Sequence, residues 1–448
     1  MKFRLPPKVS FIIDSLEGRG YEAYAVGGCV RDMVLALEPK DYDITTNALP
    51  EQIKEVFRHT VDTGIQHGTV TVIVGGEGFE VTTYRIDGPY SDARHPSSVI
   101  FSRNLKEDLR RRDFTINAMA YNHRTGLVDI FGGMDDLQKK VIRCVGNAGE
   151  RFGEDALRVM RAARFAARFG FSIEPETRDA MRDHAGSLSL ISAERIREEL
   201  LGLISSDNPG MFRILFELGI TAVVLPEFDK CMATPQNTRY HCYSVGEHII
   251  KSMECIKKDA VLRMTMLLHD IAKPEVRRTG EDGRDHFKGH ASKGAEMADE
   301  IMRRLRFDND TRKKCARLIF YHDLRPAVEG KDIRRAVNRI GEDLFEDYLE
   351  VQRADLMAKN PDFISEDMKR IDAMESKYRE ILRMGDCVSL RSLAVNGRDL
   401  IGAGVSQGKY VGELLNDCLE LVLEFPEKND RCTLIAYALE KYGNIDIS

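Results

Sequence analysis

The chain contains no tryptophan, and its nine cysteines include no CxxC pair. Thiols scattered in this way support neither a zinc ribbon nor a disulfide framework, and they fit a reducing cytoplasm. No apolar run approaches the ~18 residues of a membrane span. The N-terminal MKFRLPPKVSFIID is basic, but the apolar stretch after its basic residues is too short for a signal peptide. Strong basicity is missing as well. A net charge of −6 does not mark a general nucleic-acid binder, although a local basic face can still supply phosphate contacts. No short-period repeat or low-complexity tract is present. What remains is an ordinary composition, 43% hydrophobic and 31% charged, over 448 residues. That length allows two to four domains with ample cores.

The most informative stretch is YAVGGCVRDMVLALEPKDYDITT, residues 24–46. An apolar run enters Gly27 and Gly28. A helical stretch follows, with Arg31 and Asp32 near its start. Then come Asp41 and Asp43. On a strand over Asp41–Thr45, residues i and i+2 share a face, about 7 Å apart by strand rise. Two carboxylates so placed repel unless a cation lies between them. An oxygen-only ligand set suits magnesium, which takes one or two carboxylates plus substrate phosphates. Glycines let backbone N–H groups approach a triphosphate closely. The local chemistry is metal-assisted phosphoryl or nucleotidyl transfer. The combination of Gly-Gly, Arg-Asp and Asp-x-Asp resembles the first motif of the nucleotidyltransferase superfamily, in the form found in bacterial tRNA nucleotidyltransferases (CCA-adding enzymes) and poly(A) polymerases.

Read in order, the pattern gives a helix over 8–20, a strand over 24–26, a short helix over 50–57 and a hairpin over 67–85. Glu80 lies on the second hairpin arm, where the family's third carboxylate stands. Residues 86–105 are polar and turn-rich and end in a strand over 99–101. The resemblance makes them the loop needed for the switch to ATP. In EDLRRRDFTINAMAYN, residues 107–122, an apolar helix is expected over Phe114–Tyr121. Arg111, Arg112 and Asp113 before it match the family's ribose-recognition motif: the arginines suit phosphate, and Asp113 suits ribose hydroxyls. VDIFGG, with Asp129, resembles the hinge motif that follows.

From about residue 146 the pattern is helical. On a helix over 151–171, Arg158, Arg161, Arg164 and Arg168 share one side, and Asp155 neighbours Arg158. A carboxylate beside a guanidinium can read a base edge. The ED-x-x-R sequence resembles the family's amino-acid template. The resemblance gives Asp155 and Arg158 the choice of CTP, then ATP, with Glu154 as partner. It gives Arg161 and Arg164 contacts to the nucleotide, and Arg195 and Arg197 contacts to RNA.

Further on, His248, His269-Asp270, His290, His322 and Asp355 follow in the order of the HD phosphohydrolase superfamily. The resemblance implies a site for two divalent metals, such as manganese, iron, cobalt or nickel. A metal there would activate water for phosphoester attack. His241 and His286 are expected outside the ligand set.

The expected fold is α+β and multidomain, a small mixed-sheet nucleotidyltransferase head followed by an all-α remainder. Its parts are the head (1–145), a helical neck (146–235), an HD domain (236–360) and a helical tail (361–448) that the resemblance sets on the tRNA elbow. The implied activity is addition of C, C and A to a tRNA 3′ end from CTP and ATP. Asp41 and Asp43 would hold magnesium, with Glu80 assisting. Gly27, Gly28, Arg31 and Asp32 would cradle the triphosphate. The rival readings are an A-adding enzyme or poly(A) polymerase, an HD metallophosphohydrolase with an RNA-binding head, and a non-catalytic tRNA-binding protein.

Overall fold

The structure, a computed structural model, describes residues 2–88, 99–238, 240 and 242–445. The central part of the polar stretch expected to serve ATP addition (89–98) lies outside the described residues, as does His241. The chain folds as two compact units, residues 1–229 and 230–448.

The first unit opens with helix α1 (Pro7–Glu17), entered through Pro6 and Pro7, where a missing N–H costs no hydrogen bond. Its Val9, Ile12, Ile13 and Leu16 are fully buried at helical spacing. Each such side chain is worth about 1.5–3 kcal/mol relative to exposure. Strand β1 (Ala23–Val26) leads through Gly27 into helix α2 (Gly28–Val34). Strand β2 (Asp43–Thr46) and helix α3 (Pro50–Val56) come next. Strands β3 (Thr60–Gly64), β4 (Thr69–Val74) and β5 (Glu77–Thr83) follow, with β4 and β5 forming the expected hairpin. Strands β6 (Arg85–Asp87) and β7 (Val99–Phe101) pair antiparallel. Helix α4 (Leu105–Arg110) precedes strands β8 (Met119–Asn122) and β9 (Gly126–Asp129). Seven strands make one sheet in the order β3-β4-β5-β2-β1-β8-β9. It is mixed because β2 runs parallel to β5.

Three expectations are corrected here. Strand β2 begins at Asp43, not Asp41. Its pairing with β1 ends at Val26↔Asp43, where β1 turns away at Gly27, so Asp41 belongs to the approach to the strand. Residues 114–121 do not form a helix. After a short turn over Thr115–Asn117 they become β8, wedged between β1 and β9. All four residues of β8 are buried, so both faces are covered and the run carries no period-2 signature. The stretch 151–171 is two helices. After α5 (Gly133–Lys139), helix α6 (Ala148–Glu154) stops at Asp155 (φ −138°, ψ 101°), and helix α7 (Leu157–Phe169) starts afresh. The Asp155 carboxylate accepts from the Leu157 N–H, satisfying a donor that a new helix start leaves open. Helices α8 (Pro175–Asp183) and α9 (Ala193–Ile204) then continue the helical run, and Ser192 precedes α9 without a side-chain cap.

The second unit is helical apart from a two-stranded ribbon, Arg278–Thr279 with Asp285–His286. Its tail has a core of its own, with Leu400, Leu414, Cys418, Val422, Leu423 and Leu434 buried together. The buried Arg334 ties this core to helix Gly330–Ile340. It donates to the Leu423 and Glu424 carbonyls at the end of helix Lys409–Glu424 and pairs with Asp386. None of the described helices is long and apolar enough to cross a membrane.

Candidate active site

Adjacency in the sheet places the head carboxylates. Ile44 on β2 pairs with Val81 on β5, so Asp43 and Glu80 are the next residues out on neighbouring parallel strands. Paired positions on adjacent strands point the same way at ~4.8 Å spacing. Asp41 joins them from the approach to β2, and all three line a cleft of about 640 Å³ together with Lys8, Lys40 and Tyr42. Burial pushes the Asp43 carboxyl above the ordinary carboxylate range; Arg112 opposes this and Asp41 adds to it. Glu80 is raised by burial, then by Asp43 and Asp41. Crowded carboxylates with only oxygen to offer fit a hard divalent cation, which would relieve the repulsion.

Beside the cleft, Gly27 has φ +79°, and a Cβ there would lie 2.8 Å from Arg112 Nη1. Arg112 and Arg111 are anchored by Asp108, a fully buried carboxylate on α4, at 3.5 and 2.9 Å. Thr45 on β2 also donates to Asp108. Burial alone would raise the Asp108 pKa, but Arg111 and Arg112 overrule it and hold it below the ordinary value. Arg31 is buried against the Phe165 and Phe169 rings (5.4 and 4.9 Å to the centroids) and is paired with Asp32 at 2.7 Å. Its Nη1 donates to Asn117 Oδ1 at 2.6 Å, and Asn117 Nδ2 donates to Asp113 Oδ1 at 3.0 Å. Asp113 Oδ2 accepts from Arg161 Nε and Nη2 at 2.9 and 2.7 Å.

The arginine side of α7 is therefore not a free face. Arg161 pairs with Asp113, Arg164 with Glu199 at 2.5 Å, and Arg168 with Asp32 at 3.5 Å. The expected Asp155–Arg158 pair is not formed, because the helix break separates the two side chains. Asp155 Oδ2 instead accepts from Arg195 of α9 at 2.9 Å. Arg158 pairs with Glu154 at 2.8 Å and donates to the Arg151 and Arg111 carbonyls. Asp129 accepts from the N–H groups of Gly133 and Met134, capping α5.

Sequence reasoning did not find Asp108, Asn117 or Glu199. Asp108 stands three and four residues before Arg111 and Arg112, a helical spacing that signals an ion pair. Asn117 and Glu199 meet their partners only through the tertiary fold.

The second unit gathers its histidines from helix ends. His248 lies on helix Val245–Cys255, and His269-Asp270 follow helix Ala260–Leu268. His290 opens helix His290–Arg304, His322 follows helix Asn309–Tyr321, and Asp355 lies on helix Phe345–Met357. Two groups form around a shared Asp270: His248, His269 and Asp270, and Asp270, His290 and His322. Within each, the ligand atoms lie within 4.8 Å of one another. Asp355 Oδ1 is 3.0 Å from His248 Nε2. Each of the four imidazoles sets Nδ1 against a backbone carbonyl, those of Ala358, Met266, Phe287 and Ile319, at 2.6–3.3 Å. Carbonyls only accept, so Nδ1 carries a proton, and Nε2 is left to hold a second proton or a metal ion. Nε2 of His248 faces Nε2 of His269 at 3.3 Å, and those of His290 and His322 face at 3.2 Å. Each facing pair needs a proton or a metal ion between its nitrogens. Burial would lower the His269 pKa, but Asp270 and Asp355 outweigh it and hold it at about 9. Asp270 and Asp355 lie well below the carboxylate range despite burial, Asp270 beside His269 and Lys273, Asp355 beside Lys359 and His248. Lys273 and Lys359 each approach one carboxylate at 2.6 Å. The donor set fits a pair of divalent metals. His286 lines the same cleft but belongs to neither group.

Residues 23–143 match the Poly A polymerase head domain, 170–232 the probable RNA and SrmB-binding site of polymerase A, and 238–372 the HD domain. The CCA-adding enzyme of Lactobacillus delbrueckii subsp. bulgaricus is 49% identical over 211 residues, 47% of this chain and 53% of that one. That of Leuconostoc mesenteroides is 52% identical over 193 residues, 43% and 48% of the two chains. The chain spans about half the length of the curated relatives it matches. Among solved structures, the Bacillus stearothermophilus CCA-adding enzyme in complex with CTP aligns over 99% of both chains with TM-score 0.74 and 27% identity. The Thermotoga maritima CCA-adding enzyme complexed with tRNA shares the fold over 98% of this chain and 96% of its own, with TM-score 0.58 and 20% identity. The chain thus carries a polymerase-type head, an RNA-binding segment and an HD domain in this order, and it shares its fold over 99% of its length with the CCA-adding enzyme of Bacillus stearothermophilus.

Proposed function

We propose that the protein is a CCA-adding tRNA nucleotidyltransferase that builds C, C and A onto tRNA 3′ ends from CTP and ATP without a nucleic-acid template. The observation that carries this reading is the convergence of Asp41, Asp43 and Glu80 on one cleft, beside a buried Arg31–Asn117–Asp113–Arg161 network. Asp41 and Asp43 hold magnesium, and Glu80 completes the set. When bound, magnesium supplies charge neutralisation at the attacking and leaving oxygens of the α-phosphate. Gly27 and Gly28 let the chain come close to the triphosphate, with Arg31 and Asp32 fixing the wall behind them. Arg111 and Arg112 meet phosphates, Asp113 the ribose. Asp155 and Arg158 select the base, with Arg161 and Arg164 supporting the nucleotide. This selection requires both side chains to leave the partners described above. We further assign residues 1–145 to the head, 146–235 to a neck, 236–360 to the HD domain and 361–448 to a tRNA-binding tail, in a cytoplasmic protein.

A second reading is added for the second unit by the two facing Nε2 pairs. His248, His269, Asp270, His290, His322 and Asp355 hold two transition-metal ions such as manganese, nickel, cobalt or iron. These ions provide a metal-activated water for phosphoester hydrolysis. A 2′,3′-cyclic phosphate at a damaged tRNA end is a fitting substrate.

The head assignment is tested with Asp43→Ala. Nucleotide addition is expected to vanish while tRNA binding, measured by gel shift, survives. Full addition by the variant would refute it.

A further inference from the structure

Asp113 has no free acceptor position. An ionised carboxylate offers four lone-pair positions. Oδ1 accepts from the Phe114 backbone N–H at 2.8 Å and from Asn117 Nδ2 at 3.0 Å. Oδ2 accepts from Arg161 Nε and Nη2 at 2.9 and 2.7 Å. A ribose hydroxyl can donate to this carboxylate only after one of these donors leaves. The Phe114 N–H is backbone and stays. Asn117 is held from its other side by Arg31, itself buried against two phenylalanine rings and paired with Asp32. Arg161 is different, because it has a second acidic neighbour. Its Nη1 stands 3.5 Å from Glu199 Oε1, an ion pair too long for a good hydrogen bond. Glu199 Oε2 is already engaged by Arg164, so Oε1 is the open end of a buried carboxylate.

We infer that Arg161 is a latch on Asp113, that the 2′-hydroxyl of an incoming ribonucleotide opens it, and that Glu199 receives the displaced guanidinium. The inference rests on the reading of Asp113 as the ribose-facing group. Arg161 moves from one carboxylate to another without ever being left unpaired, and the incoming hydroxyl supplies Asp113 with a donor where the guanidinium was. A deoxyribonucleotide has no 2′-hydroxyl to offer, so the latch stays closed. Glu199 is thus a positioning residue that sets sugar selectivity without touching the nucleotide.

The test is equilibrium binding of CTP and dCTP, without tRNA, to the full chain and to Glu199→Gln. The wild type is expected to prefer CTP. Glu199→Gln weakens CTP binding roughly tenfold or more, the value of a charge-assisted hydrogen bond, and leaves dCTP binding unchanged. Equal weakening of both ligands would mean a merely structural Glu199 and would overturn the latch. The wild type gives an independent reading through its arginine Nε–H NMR signals, with Arg161 assigned from an Arg161→Lys variant. That signal is expected to shift with CTP and to stay with dCTP. CTP binding with an unmoved Arg161 signal overturns the latch alone. A wild type that binds neither CTP nor ATP removes the nucleotidyl-transfer reading and the latch with it.

Discussion

Asp113 illustrates how one buried residue can be read in terms of pH. Burial alone would raise its carboxyl; Arg161 and the Asn117 hydrogen bond outweigh burial and hold it at about 2. A carboxylate whose folded pKa lies below its unfolded value stabilises the fold above the unfolded value, and this contribution is lost as pH falls through the folded one. The window therefore runs from about 4 down to about 2. The stability difference between wild type and Asp113→Asn, from urea unfolding at a series of pH values, is expected to be largest above pH ~4 and to shrink across that window. A difference independent of pH would mean that the Arg161 pair does not hold the charge.

At the scale of elements, the turn between β1 and α2 sets the distance between the cleft and the arginines. Gly27 carries both a positive φ and a close approach to Arg112. At φ +79° and ψ −128°, Gly27→Ala is expected to cost about 1–3 kcal/mol in backbone strain and, by displacing Arg112, to weaken triphosphate binding as well. Gly20 is a control, with φ +85° and open space around it, so Gly20→Ala puts an alanine at positive φ without displacing a neighbour. Equal nucleotide affinities in the two variants would remove Gly27 from the cradle. The same elements explain what could be read in the sequence. Strand β1 was legible as an apolar run entering two glycines, and β4, β5 and β7 as runs rich in β-branched residues bounded by glycines and turns. The Asp-x-Asp spacing pointed to the carboxylate cleft. Strand β8 was not legible, since a strand buried on both faces has the same apolar run as a buried helix. The break at Asp155 was missed because residues 151–171 keep helical periodicity through it, and the cue was one aspartate able to cap the next helix. The partners of Arg161 and Arg164 lie 48 and 35 residues away, where no local pattern reaches.

Across the whole molecule, the two proposed chemistries draw on unlike ligands, oxygen in the first unit and mostly imidazole nitrogen in the second. Chelation selective for transition metals over magnesium, or His269→Ala, is expected to abolish phosphohydrolysis and bound transition metal, the latter measured by elemental analysis. Magnesium-dependent nucleotide addition is expected to persist. Simultaneous loss of both activities would contradict independent metal sites. The account's central claim is tested most directly by incubating the protein with magnesium, labelled CTP and ATP, and tRNA ending at the discriminator base, at C or at CC. The 3′ ends are then sequenced. The account predicts completion to CCA from each start, followed by arrest. Addition of A alone, an unlimited A tail, or no addition at all would contradict it.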